Sequence, residues 1–155
     1  MTTRTLRAEV PATAAEVVAF LERDTDFPTY APDLVSVSGR GEWVLAFRGG
    51  TATWTQAVRR SADHPDRLEF LQIEGDFQRL MGSWTATDLP EGGSEVEYRV
   101  DYGTSVPHLA GAIDSAVGRV LVRTAHAIVT AIGGRARVTE GGEYVTDPLE
   151  RLLRR

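Results

Sequence analysis

Residues 35 to about 105 form a succession of short strand patterns, and this run constrains the fold more than any other feature of the chain. Turn sequences interrupt it at "GRGE", "RGGT", "DHPD", "EGD" and "PEGG". Strands that are joined by such short connections pair as antiparallel neighbours. We therefore predict a single antiparallel meander for this part of the chain.

The segment "SEVEYRVDYGTS", residues 94–105, indicates that one face of this sheet is covered. Successive side chains of a strand point to opposite faces, and here two valines and two tyrosines alternate with charged residues. A covered tyrosine needs a partner for its hydroxyl group, which a side chain, a water molecule or a ligand can supply. The covered residues of this strand are Val96, Tyr98, Val100 and Tyr102.

The alternation is ambiguous in the segment "RLEFLQIE". Leu68 and Phe70 point to one face of the predicted strand, whereas Leu71 and Ile73 point to the other. Periodicity alone leaves both faces open as the buried one.

A first strand and a helix precede the meander. The alternating segment "TLRAEV" predicts the strand, and the next residues contain Thr13 and Glu16 in the spacing of a capping box, which predicts a helix of about ten residues. The turn-rich segment "DTDFPTYAPDL" follows, and its prolines rule out a long helix. We interpret it as a short second helix or a kinked connection.

A long amphipathic helix follows the meander. Apolar residues recur at helical spacing in "VPHLAGAIDSAVGRVLVRTAHAIVTAIGG", and Gly133 and Gly134 end the pattern. This helix is the one element long enough to cover the sheet. Its small residues would leave room for a cavity, and they are Ala112, Ala116, Gly118, Ala127 and Ala131.

The chain of 155 residues is long enough for one domain with a full-sized core. We place this domain at residues 1–134. The remaining residues, 135–155, are predicted to be a polar C-terminal tail, in which Asp147 and Pro148 suit the start of a short helix.

Composition excludes several classes of function. The net charge of −5, without a basic run interleaved with aromatic residues, argues against nucleic-acid binding. The sequence contains no cysteine and its 17 basic residues are all arginine, which excludes thiolate nucleophiles and lysine Schiff bases. His64, His108 and His126 lack the spacing of metal ligands, so we expect neither a metal nor another cofactor. Without a signal segment or a run of about 18 apolar residues, we expect a cytoplasmic protein that is not inserted in a membrane.

Three patterns resemble the START/Bet v 1-like (SRPBCC) superfamily, and within it the polyketide cyclase/dehydrase and coenzyme Q-binding branch. They are "DTDFPTYAP", then "GDFQRLMGSWTATDLPEGGSEVEYRVDY", and the long C-terminal helix. The resemblance covers roughly residues 4–134. It implies an α+β helix-grip fold, in which a curved antiparallel sheet wraps around the C-terminal helix and encloses an internal cavity.

The resemblance also implies a ligand pocket along the strand "TATWTQAV". Trp54 would provide a flat apolar wall, and Gln56 would supply a hydrogen bond to a ligand oxygen. The alternative is that Trp54 is an ordinary core residue and that Gln56 is paired with neighbouring backbone. The residues that we expect to bind the substrate are Trp54, Trp84, Tyr30, Phe27, Val58, Phe70, Ile113 and Val117.

Four residues are candidates for catalysis. Tyr98 and Tyr102 are donors that can stabilise a developing enolate, with help from Gln56. Asp114 lies near the apolar stripe of the long helix, where burial would make its carboxylate a stronger base.

Two positions depart from the aromatase/cyclase members of the family. Those members are expected to carry an arginine two residues after the position of Gln56 and a tyrosine soon after the "FPTY" segment. Here these positions are Val58 and Leu34. A direct copy of the aromatase mechanism is therefore in question.

Three functions remain open. The first is a cofactor-independent cyclase/dehydratase that folds a poly-carbonyl chain and promotes aldol closure with loss of water. The second is a non-catalytic carrier for a hydrophobic molecule, such as a prenylated quinone or a lipid. A third option is a collapsed cavity with a protein-binding surface. The expected partner is a hydrophobic small molecule, and a homodimer is one of the oligomeric states left open.

Overall fold

The structure, a computed structural model, describes residues 1–47, 50–104 and 110–145, with only the backbone described for residues 110–114. One eight-stranded sheet runs in the order β2-β3-β4-β5-β6-β7-β1-β8. Every neighbouring pair in it is antiparallel, which confirms the predicted meander. The strands are β1 Thr2–Val10, β2 Leu34–Val37, β3 Glu42–Phe47, β4 Gly50–Arg60, β5 Arg67–Gly75, β6 Phe77–Asp88, β7 Ser94–Thr104 and β8 Arg137–Glu140.

Helix α1, Ala14–Leu21, begins at the predicted capping box. The hydroxyl oxygen of Thr13 accepts a hydrogen bond from the backbone N–H of Glu16, and the Glu16 carboxylate accepts one from the backbone N–H of Thr13, each at 3.2 Å. The turn-rich segment that follows forms a 3₁₀ helix, Asp24–Asp26, and then the short helix α2, Phe27–Tyr30. Of the two interpretations of this segment, a short second helix or a kinked connection, the structure shows the short helix.

Helix α3, Ala110–Gly133, packs on the covered face of the sheet. The side chains of Val117, Leu121 and Ile128 are all buried there. The stretch Ser115–Gly133 has the length and composition of a membrane-spanning helix, but half of it is buried inside the protein, as is usual for a core helix. This arrangement of sheet and helix is the predicted helix-grip α+β fold.

The structure resolves the ambiguity in β5. Leu68 and Phe70 are 2% and 7% exposed, whereas Leu71 and Ile73 are 48% and 65% exposed. Leu68 pairs with Trp84 of β6, and Phe70 pairs with Val58 of β4. Pairing with β4 and β6, whose covered faces are already determined, therefore decides which face of β5 is buried.

The sheet continues beyond the boundary drawn at residue 134. Strand β8 pairs with β1, so that Val138 lies opposite Ala8 and Arg137 lies opposite Glu9. A strand of four residues is too short for its alternation to be recognised from the sequence. Its place in the sheet depends on the free edge of β1, which is distant along the chain. Residues 146–155, with the predicted helix start at Asp147 and Pro148, lie outside the described part.

Candidate functional site

A small cavity lies between the inner face of the sheet and α3. Its volume is about 30 Å³, which is room for one or two water molecules. The strands contribute Trp43, Trp54, Gln56, Phe70, Leu80 and others to the lining, and α3 contributes Leu121, Thr124, Ala125 and Ile128. Aromatic rings fill most of the space that the fold encloses here.

All three tryptophans of the chain, together with Tyr98, form the walls of this cavity. The rings of Trp43 and Trp54 stack across β3 and β4 with their centroids 5.6 Å apart. The ring of Tyr98 contacts that of Trp84, with centroids 4.6 Å apart, and stacks on that of Phe70 at 6.0 Å. Flat surfaces of this kind suit a planar ligand.

A second recess, of about 20 Å³, lies next to the cavity and is lined in part by the 3₁₀ helix. It shares Trp43, Gln56, Phe70 and Trp84 with the cavity. We call it the mouth. It is completed by Leu21, Asp24, Phe27, Val58 and Leu68, of which Val58 is 44% exposed.

Two polar atoms of the cavity lining are buried without a hydrogen-bond partner among the described residues. They are the indole Nε1 of Trp43 and the hydroxyl Oγ1 of Thr124. Buried polar groups are normally paired, and an unpaired one costs about 1–3 kcal/mol. The cavity therefore carries polar groups that a bound molecule could satisfy.

Gln56 has a defined orientation. Its side-chain oxygen accepts a hydrogen bond from the indole N–H of Trp54 at 3.0 Å. An indole nitrogen can only donate, so the amide oxygen faces Trp54 and the amide NH₂ group stays available as a donor. The alternative pairing of Gln56 with backbone is not observed in the described structure.

Tyr98 is buried at the cavity wall, against the rings of Phe70 and Trp84. Burial, followed by the influence of Tyr102, raises the pKa of Tyr98 far above its ordinary value. The group therefore stays protonated at any physiological pH and acts as a hydrogen-bond donor, never as a base.

Tyr102 does not line the cavity, although it shares the covered face of β7 with Tyr98. Its ring meets Phe77 edge-on, with centroids 6.3 Å apart. Its hydroxyl group occupies the space above Gly118 of α3. The room that we expected Gly118 to leave for a cavity is therefore taken by this tyrosine.

The other predicted residues are distributed over several places. Trp54, Trp84 and Phe70 line the cavity, whereas Phe27 and Val58 line the mouth.

Tyr30 lies outside both the cavity and the mouth, at 37% exposure, against Phe20. Val117 is buried in the core away from the cavity, and Leu34 is buried in β2. The side chains of Ile113 and Asp114 lie outside the described part of the structure.

Among the residues of the site that the sequence did not single out, three carry side-chain polar atoms: Trp43, Thr124 and Asp24. Trp43 had a detectable signal, because it occupies the alternating pattern "EWVLAF" next to the strand of Trp54. Thr124 lies within the apolar stripe of α3, so its place in the pattern is that of an ordinary core residue. Asp24 had no signal beyond its place in the acidic and aromatic segment. Among the described residues, no group of three or more His, Asp or Glu side chains is placed to hold a metal ion.

Solved structures share this fold at low sequence identity. The TTHA0849 protein of Thermus thermophilus superimposes with a TM-score of 0.71 at 18% identity, over 84% of this chain and 94% of that one. The ZhuI aromatase/cyclase of Streptomyces sp. R1128 superimposes with a TM-score of 0.69 at 17% identity, over 84% of this chain and 94% of that one. For a START superfamily protein of Mycobacterium smegmatis the TM-score is 0.67 at 14% identity, over 84% of this chain and 95% of that one. These likenesses confirm the START-like helix-grip fold.

Sequence comparison gives a family as well as a fold. No curated protein sequence matches the chain significantly. Residues 10–129, which include β2 to β7 and most of α3, match the family described as polyketide cyclase / dehydrase and lipid transport. The match covers well over half of the chain and every strand that lines the cavity, and the protein therefore belongs to the polyketide cyclase / dehydrase and lipid transport family.

Proposed function

We propose that this protein binds a small poly-carbonyl or aromatic molecule in the cavity and promotes aldol-type cyclisation with loss of water. The observation that carries the proposal is the polarity of the site. Trp43 and Gln56 offer N–H donors and Tyr98 offers an O–H donor, within walls that are otherwise aromatic and aliphatic. Such a site suits a flat ligand whose oxygen atoms accept hydrogen bonds.

The same donors suit the reaction. When a base removes a proton next to a carbonyl group, the C–H electron pair forms the enolate and negative charge develops on the carbonyl oxygen. The enolate carbon then attacks a second carbonyl carbon of the same molecule, a C–C bond forms, and the second oxygen takes up a proton. Removal of another α-proton expels this hydroxyl group as water. Buried donors aimed at the developing oxyanion lower the barrier to the first step.

Binding of such a ligand requires the site to open. A drug-sized ligand needs a pocket of several hundred Å³, whereas the cavity holds about 30 Å³. The rings of Trp43, Phe70 and Trp84, which separate the cavity from the mouth, are the groups that have to move apart. A ligand that enters after such a rearrangement is also folded, because its carbon chain must fit between flat aromatic walls.

A carrier for a hydrophobic molecule is the second candidate function. Val58 lies at the mouth and Leu34 is buried, at the two positions where the aromatase/cyclase relatives were expected to carry an arginine and a tyrosine. Apolar side chains at these two positions suit a quinone or a lipid better than a charged ligand. The carbonyl oxygens of a quinone would accept the same hydrogen bonds.

Turnover of a defined probe separates the two functions. We would use 1-phenylhexane-1,5-dione, which closes to 3-phenylcyclohex-2-enone with loss of one water, a reaction followed by the absorbance of the conjugated enone. Quenching of tryptophan fluorescence reports binding, because all three tryptophans line the cavity. The wild-type protein should bind the probe and accelerate ring closure, whereas a carrier should bind it without turnover.

The variant Tyr98→Phe tests the role of the phenol. Loss of one buried donor should lower turnover by about 100-fold while binding changes little, because an oxyanion donor acts on the transition state. Tyr144→Phe is the matched control, since Tyr144 lies on the C-terminal 3₁₀ helix and lines neither cavity nor mouth. Equal turnover of wild type and Tyr98→Phe would show that Tyr98 is only a wall.

A further inference from the structure

The cavity is rich in donors, and its mouth contains one carboxylate. In the described part of the chain, Asp24 is the only acidic residue that lines either space. It lies at the start of the 3₁₀ helix and contributes to the same recess as Gln56 and Trp43. A carboxylate and a set of N–H and O–H donors therefore line two adjacent spaces, which share Trp43, Gln56, Phe70 and Trp84 as walls.

The surroundings of Asp24 preserve its basicity. No cation among the described residues forms an ion pair with it, in contrast to its neighbour in sequence Glu22, which is paired with Arg60. Burial raises the pKa of the Asp24 carboxyl group, and hydrogen bonds from the backbone N–H groups of Thr25 and of Asp24 itself offset part of this rise. A desolvated carboxylate without a counter-charge is a stronger proton acceptor than one in water.

Aldol chemistry needs such a group. The donors Trp43, Gln56 and Tyr98 can stabilise an enolate oxygen, but none of them can remove a proton from carbon, and Tyr98 stays protonated. Two of these donors, Trp43 and Gln56, line the mouth together with Asp24. A ketone whose oxygen is bound by them would hold an α-carbon, which is bonded directly to the carbonyl carbon, on the side of this carboxylate.

We propose that Asp24 is the general base of the site, which accepts the α-proton of a ketone whose oxygen is bound by the cavity donors. In this step the C–H bond breaks, its electron pair forms the enolate, and the proton moves to the Asp24 carboxylate. The protonated Asp24 returns a proton in the reverse step, or supplies it to the hydroxyl group that leaves as water. This role rests on the proposed function, since it requires a carbonyl ligand in the cavity.

The test uses 2-tetralone, a bicyclic ketone whose α-protons exchange with deuterium when it enolises. Exchange in D₂O is followed by NMR, with and without the full-length protein, and binding is followed separately by tryptophan fluorescence. The wild type should accelerate exchange. Asp24→Asn should lose about 100-fold of this acceleration while it binds 2-tetralone with similar affinity, because the amide keeps the shape and hydrogen-bond acceptor but is no base.

Asp26→Asn is the matched control. It makes the same change within the same 3₁₀ helix, at an exposed residue that lines neither space, and should exchange like the wild type. Asp24→Glu, which restores a carboxylate, should recover part of the activity. A comparison of thermal unfolding shows that the variants are folded.

The outcomes separate the two proposals. Unchanged exchange in Asp24→Asn, with acceleration by the wild type, would overturn the role of Asp24 and leave the proposed function standing. Binding of 2-tetralone without acceleration by the wild type would overturn the role of Asp24 and favour the carrier. Absence of binding would overturn the proposed function and the role of Asp24 together.

Discussion

At the scale of single residues, Gly118 and Tyr102 depend on one another. A glycine inside a helix costs about 1 kcal/mol relative to alanine, so its presence in the middle of α3 needs a reason. The reason is contact: a Cβ atom at position 118 would overlap the Tyr102 hydroxyl oxygen and would approach Nε of Arg4 to 3.2 Å. The missing methyl group lets a large aromatic side chain fit between sheet and helix.

We therefore expect Gly118→Ala to lower the free energy of unfolding by about 1–3 kcal/mol, the usual cost of overpacking. In a Tyr102→Phe background the overlapping oxygen is absent, so most of this cost should disappear. Urea unfolding of the four proteins of this double-mutant cycle measures the coupling. An equal loss in both backgrounds would show that the contact is not responsible.

At the scale of secondary-structure elements, helix α1 is held at its start by a residue that is distant in the sequence. The capping box of Thr13 and Glu16 is local. In addition, the carboxylate of Asp88, the last residue of β6, accepts a hydrogen bond from the backbone N–H of Ala14 at 2.8 Å. The negative charge also suits the N-terminal end of the helix dipole. This contact fixes the position of α1 on the sheet.

Removal of this contact should destabilise the protein. Asp88→Ala should lower the free energy of unfolding by about 1–2 kcal/mol, as for other lost helix caps, and Asp88→Asn should lose less because its oxygen still accepts. Asp63→Ala, an exposed turn residue, is the control and should change stability little. Chemical denaturation measures all three. Equal effects of Asp88→Ala and Asp63→Ala would refute the anchoring role.

At the scale of the whole molecule, the cavity lowers the stability of the fold, because its lining contains a buried polar group without a hydrogen-bond partner among the described residues. Thr124 lies on the buried face of α3, and its hydroxyl group is unpaired among the described residues, whereas the Thr130 hydroxyl of the same helix donates to the backbone oxygen of His126 at 2.8 Å. Natural proteins often accept such a loss at functional sites. The two threonines of this helix thus differ: the Thr130 hydroxyl group is paired within the helix, whereas Thr124 lines the cavity with its hydroxyl group unpaired.

Replacement by valine should therefore have opposite effects at the two positions. Thr124→Val keeps the shape and removes an unpaired buried polar group, so it should raise Tm by about 1–3 °C without ligand. Thr130→Val removes a formed hydrogen bond and should lower Tm. Thermal unfolding followed by circular dichroism measures both. A lower Tm for Thr124→Val would indicate that its hydroxyl group is paired in solution.

The sequence predicted those features of the fold that depend on residues close together along the chain. The capping box at Thr13, the end of α3 at Gly133 and the inward face of β7 were all predicted and are observed. Each depends on a local period or on a contact between residues three or four apart. Trp54, Gln56, Trp84 and Tyr98 were chosen from the same periodicity together with the family resemblance, and they do line one cavity.

The sequence by itself thus determined the first strand, the antiparallel meander, helices α1 and α3, the covered face of β7 and the family, because periodicity and capping act over a few residues. Tertiary structure decided that Tyr98 faces the cavity while Tyr102 packs on Gly118, that Asp24 lies at the mouth, and that β8 extends the sheet. These outcomes depend on the curvature of the sheet and on the position of α3 across it. Both are relations between residues that are far apart along the chain, and no local pattern encodes them.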